Sequence, residues 1–64
     1  MFVKEVTLFK DGNKKVISLD DYGDGYSINV DFEAQCITVI NQRDLIVRWY
    51  NLARYDSVHL YHRV

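Results

Sequence analysis

Apolar and polar residues alternate most cleanly over residues 26 to 33, where Tyr26, Ile28, Val30 and Phe32 interleave with Ser27, Asn29, Asp31 and Glu33. A period of two puts successive side chains on opposite faces of a strand, so this stretch predicts a half-buried β-strand with the four apolar residues facing a core. Residues 2 to 9 (Phe-Val-Lys-Glu-Val-Thr-Leu-Phe) and Cys36-Ile37-Thr38-Val39-Ile40 are dense in β-branched and aromatic types, which suit a pleated surface. Between them, Lys10-Asp11-Gly12-Asn13-Lys14 carries the Asp-Gly pair of a tight hairpin, and Lys15 to Leu19 returns as a second strand. Asp20-Asp21-Tyr22-Gly23-Asp24-Gly25 is turn chemistry, because Gly and Asp tolerate positive φ, and Glu33-Ala34-Gln35 closes a further hairpin.

The last third reads two ways. Leu45 to Tyr50 has strand propensity, while Asp44 could also cap a short helix within residues 44–55 that carries Leu45, Ile46, Trp49, Tyr50 and Ala53 on one face. We favour the strand, with Leu45, Val47 and Trp49 on the core side and Arg48 and Tyr50 on the other. A loop or single helical turn follows, then a final strand from Val58 to about His62. The expected class is all-β (mainly β), one domain over residues 1–64: a small antiparallel meander or an SH3/OB-like small barrel of five or six strands.

Length limits how stable such a domain can be. A chain of 64 residues has room for one core, and a core of that size rarely supplies more than about 3 to 5 kcal/mol. Cys36 is the sole cysteine, so no disulfide can form within the chain, and a lone thiol suits a reducing, cytoplasmic setting. Charges at Lys4 and Glu5 break the opening apolar run far short of the roughly 20 residues of a membrane helix. Exposed sheet edges and a thin core lead us to expect a homo-oligomer or a bound partner.

Several chemistries fall short. Asp20, Asp24 and Gly25 match part of a calcium-binding loop, but Tyr22 stands at its third position, Asp31 at its twelfth, and the flanks read as strands where that loop needs helices. His59 and His62, three apart, fall on opposite faces of a strand. Cys36 opens a β-branched run, as a small buried hydrophobe does, and neither it nor a serine sits in a glycine-rich elbow. We therefore expect no metal, no cofactor and no enzymatic activity.

What stands out is a concentration of arginine and aromatic residues in the second half: Arg43, Arg48, Trp49, Tyr50, Arg54, Tyr55, Tyr61 and Arg63. All four lysines lie in the first 32 residues beside six acids, and all four arginines in the last 32 beside three. Trp, Tyr and Arg dominate binding hot spots, because they offer rigid contact area with a polar or charged handle. The expected partner-binding residues are Arg48, Tyr50, Arg54 and Tyr61, and the expected partner is a protein. The alternative is nucleic acid, with the same residues stacking bases and meeting phosphates, against which stand Asp44, Asp56 and a formal net charge of −1.

The opening Val-Thr-Leu-Phe strand, the Lys-Asp-Gly turn, the alternating middle strand and the closing Tyr-Asp-Ser-Val-His-Leu-Tyr resemble the small β-sheet proteins encoded by phages and prophages. The resemblance implies stoichiometric binding to a host protein as an inhibitor or regulator. It supplies no site residues.

The alternation at residues 26 to 33 is directly testable. Ile28→Asp should abolish the cooperative unfolding transition in circular dichroism, whereas Asn29→Asp should leave the melting midpoint nearly unchanged. Equal tolerance of the two would contradict the assignment.

Overall fold

The computed structural model describes residues 2–63. Asp11 (φ 52°) and Gly12 (φ 81°) are both left-handed, as the tight hairpin turn requires. They join β1 (Phe2–Lys10) to β2 (Asn13–Ser18), with Val6 opposite Ile17 and Lys10 opposite Asn13. At the end of β2 the Ser18 hydroxyl oxygen accepts from the Asp20 N–H (3.2 Å), starting a 3₁₀ turn at Leu19–Asp21. The chain then meanders through β3 (Ser27–Asp31), β4 (Cys36–Ile40) and β5 (Ile46–Asn51). A second 3₁₀ turn, Leu52–Arg54, leads into β6 (Ser57–Arg63), which returns to pair with β1.

The fold is mainly β and antiparallel throughout, with strands ordered β2-β1-β6 in one sheet and β3-β4-β5 in the other. Of the expected five or six strands, six are present among the described residues, and they form two sheets and do not close into a barrel. The acidic segment between Leu19 and Tyr26 takes the chain out of ladder geometry, so β2 and β3 share no pairing and two separate sheets result. The helix considered for residues 44–55 gives way to β5 and the 3₁₀ turn. No helix among the described residues is long and apolar enough to cross a membrane.

The two sheets share one core. Val6, Leu8 and Ile17 come from the first sheet and Ile28, Ile37 and Val39 from the second. In the register, Val6 stands between Ile17 and Leu60, and Val39 between Ile28 and Arg48. Each sheet therefore turns one row of side chains inward and the alternate row outward. Val30, Tyr50, Val58 and Leu60 pack at the margin of this core, half-buried.

Phe32 departs from the expected core row. β3 ends at Asp31, whose Oδ1 accepts from the Ala34 N–H (3.0 Å), so the chain already turns at Phe32 and leaves it 60% exposed. A second local constraint ties two loops together. Asn41 Oδ1 accepts from the N–H groups of Arg43 and Leu45 (2.9 and 3.1 Å), shaping the β4–β5 turn, and Gly25 lies against that turn. A Cβ on Gly25 would come within 2.9 Å of the Gln42 Cβ, and its φ of 86° is strained for any other residue.

Gly25→Ala should accordingly lower stability by about 2 kcal/mol, read from the urea midpoint. Gly23→Ala meets nothing within 4 Å and should shift the midpoint little. Equal effects would mean that the loop contact carries no weight.

Candidate interaction surface on the second sheet

The geometry of β5 follows from its neighbours. Ile37 and Val39 of β4 are fully buried, so Tyr50 and Arg48, their cross-strand partners, lie in the inward row, while Trp49, opposite Thr38, lies in the outward row. Between Val39 and Ile40 the ladder slips by one residue, so Arg48 still faces Val39 while Ile46 faces Ile40. Val47 is the extra residue of this bulge, and it packs against the core.

The expected sidedness of β5 is thereby corrected. Arg48 and Tyr50 do share a row, but it is the core-side row. Tyr50 is half-buried against the core, and Arg48, beyond its margin on an edge strand, reaches solvent. Trp49 is 58% exposed and Leu45 is exposed too, so neither supplies the apolar core side. Strict alternation assumes an unbroken ladder, and the bulge at Val47 lets a valine reach the core out of phase.

The outward face of the second sheet runs in three rows: Ser27, Ile40 and Ile46; Asn29, Thr38 and Trp49; Asp31, Cys36 and Asn51. Thr38 is only 7% exposed although it lies on this uncovered face, because it sits mid-sheet between flanking strands. Ile46 (61% exposed) and Trp49 stand at its β5 edge, with Leu45 in the adjoining turn. The result is an apolar ridge on a flat β-surface.

The other expected binding residues do not converge with Arg48 and Tyr50. Arg54 is exposed on the second 3₁₀ turn, and Tyr61 is exposed on the outward face of the first sheet, where it faces Glu5 across the ladder. The side chain of Arg63 lies outside the described residues. The structure instead brings Lys15, from the lysine-bearing first half of the chain, to the core-side row of β5: its Nζ lies 5.4 Å from the centroid of the Tyr50 ring. The residues missed as candidates are Ile46, Leu45 and Lys15. For the first two the signal was available, since Leu45-Ile46-Val47-Arg48-Trp49-Tyr50 is apolar on both faces of a strand and a two-layer fold covers only one.

The surface hollows are small. One of about 220 Å³ is lined by Leu8, Lys10, Asn13, Lys14, Lys15 and Tyr55, and one of about 270 Å³ by the acidic loop, including Asp20 and Asp24. Both fall below the roughly 300 Å³ at which small-molecule pockets begin. Asp20 also pairs with Lys4 (3.6 Å), the one ion pair among the described residues. No group of three or more His, Cys, Asp or Glu among them is placed to hold a metal ion. His59 meets Phe9 edge-on at 5.1 Å on the outward face of the first sheet, and Cys36 is a half-buried free thiol.

Comparison with known proteins adds nothing to this geometry. No family model, no curated protein and no solved structure matches the chain.

The reversed sidedness of β5 predicts a reversed mutational response. Tyr50→Ala, which empties a place against the core, should cost about 2 kcal/mol, and Trp49→Ala less than about 1 kcal/mol. Trp49 emission should be that of a solvated indole, freely quenched by iodide. A costly Trp49→Ala with a blue-shifted, protected indole would restore the opposite orientation.

Proposed function

We propose that this chain is a non-enzymatic protein-binding domain, an inhibitor or regulator of the phage type, that acts by stoichiometric contact with a protein target in the cytoplasm. The observation that carries this reading is the ridge of Trp49, Ile46 and Leu45, solvent-exposed on and beside a sheet face that no element among the described residues covers. Exposed tryptophan beside apolar neighbours is costly to leave in water and is the composition of an interface centre. Arg48 borders the ridge at the sheet edge without an ion-pair partner among the described residues, which leaves its charge for a target.

One observation favours a second reading. Lys10, Lys14 and Lys15 line a hollow with Tyr55, a juxtaposition that could hold the backbone and a base of single-stranded nucleic acid. Asp56 stands beside it, its Oδ2 accepting from the Asp11 N–H (3.0 Å), and two carboxylates at that rim oppose a polyanion. We rank the protein partner first for that reason.

Affinity purification separates the two readings. The wild-type chain should retain a stoichiometric protein partner that Trp49→Ser combined with Ile46→Ser loses, with both proteins equally folded by circular dichroism. Unchanged capture by that variant would mean that the ridge is not the interface. Retention on single-stranded DNA or RNA that falls steeply with salt, and that needs Lys10, Lys14 and Lys15, would establish the second reading.

A further inference from the structure

β5 is a free edge of the second sheet, and the backbone groups it presents can be read from the ladder. The Leu52 N–H donates to the Gln35 carbonyl (2.8 Å), and the Asn41 N–H to the Leu45 carbonyl (3.0 Å). These bonds close the β4–β5 pairing at its two ends. Because hydrogen-bonded pairs recur at every second residue of an antiparallel ladder, they fall here at Ile37 with Tyr50 and at Val39 with Arg48. The N–H and C=O groups of Trp49 and Asn51 therefore point away from β4, towards the open side. Such a row of backbone groups is a template for another strand.

The side chains flanking this edge differ in kind from one face to the other. On the outward face stand Trp49 and Ile46, both exposed and apolar. On the inward face Arg48 reaches solvent, its Nη1 donating among the described residues only to the carbonyl of its neighbour Val47 (3.1 Å), and Lys15 lies over the ring of Tyr50, next in the same row. One side of the edge is thus apolar and the other cationic. The three remaining edge strands lack this division: β2 exposes Lys14 and Lys15, which discourage pairing, β3 is five residues long with Asp31 at its end, and β6 sets half-buried Val58 and Leu60 inward and exposed His59 and Tyr61 outward, with no Lys or Arg among its described side chains.

We propose that β5 takes up an extended segment of the protein partner as an additional strand of the second sheet, and that this segment alternates apolar and acidic residues. The inference rests on the protein-binding reading above and specifies its mode. Apolar side chains of the added strand lie beside Trp49 and Ile46, and the alternate, acidic ones meet Arg48 and Lys15. The bulge at Val47 ends the regular edge, so the docked segment is short and spans Arg48 to Asn51. A second copy of this chain fits poorly, because joining two β5 strands about a twofold axis sets Arg48 and Lys15 of each copy on one face, four cations along one seam.

The test uses the full chain, labelled with nitrogen-15, and synthetic peptides of about six residues in which valine alternates with glutamate or with lysine. The glutamate peptide should shift the Trp49 and Asn51 amides, slow their exchange with solvent and move Trp49 emission to the blue. The lysine peptide should bind about tenfold more weakly or less, and Arg48→Glu should reverse that preference. Methylating the peptide amides along one edge should abolish binding, while methylating the opposite edge should leave it intact, since only one edge of an added strand pairs with β5. If the glutamate peptide shifts the Trp49 indole but tolerates methylation on either edge, strand addition is wrong while the protein-binding reading stands. If it perturbs nothing, or if the β5 amides shift with protein concentration alone, the proposed occupant is wrong. If single-stranded oligonucleotide and not peptide perturbs β5, this inference and the protein-binding reading fall together.

Discussion

Everything in this molecule depends on the apposition of two three-stranded sheets through one layer of aliphatic side chains. Val6, Leu8 and Ile17 meet Ile28, Ile37 and Val39, and these six are the buried apolar residues among those described. Two thin sheets with one shared interior allow each strand a single covered face. Apolar residues in the outward rows have nowhere to go but solvent or a partner. The exposure of Trp49 and Ile46 is in that sense a consequence of the layer count, and it carries the functional reading.

The same constraint explains why β5 combines unlike properties. It is an edge strand, so its core-side row runs past the margin of the opposing sheet, and Arg48 can occupy that row without burying its charge. Tyr50, further along, still lies over the core and meets Lys15 from the other sheet. The bulge at Val47 completes the arrangement by returning a valine to the interior. A core residue, two cations and a solvent-exposed tryptophan are thus gathered around one short strand.

Much of the fold was legible in the sequence because its signals are local. Asp11-Gly12 specifies its turn by backbone conformation alone, and the β-branched run at residues 36 to 40 coincides with β4. The alternation around Ile28 and Val30 identifies the inward row of β3, but it runs on to Phe32 because a period of two cannot register a turn initiated by the Asp31 carboxylate. What the sequence did not disclose depends on contacts between distant segments. The slip in the β4–β5 ladder changes which side of β5 is covered, and the fit of Gly25 against Gln42 joins loops that are far apart in the chain. For the candidate site, the second-half richness in arginine and aromatic residues drew attention to β5, but which of its rows faces the core could not be read from that richness. Lys15 could be placed beside Tyr50 only once the two sheets were stacked.

In the proposed mode of binding the second sheet engages its target through its outward face and its β5 edge, while the outward face of the first sheet remains in solvent. Hydroxyl-radical footprinting of the chain, alone and in complex with its purified partner, tests it most directly, because oxidation reports solvent contact side chain by side chain. Ile46 and Trp49 should be protected, with Val16 and Tyr61, on the outward face of the first sheet, oxidised as in the free chain. Protection of Val16 and Tyr61 with Trp49 unchanged would contradict it.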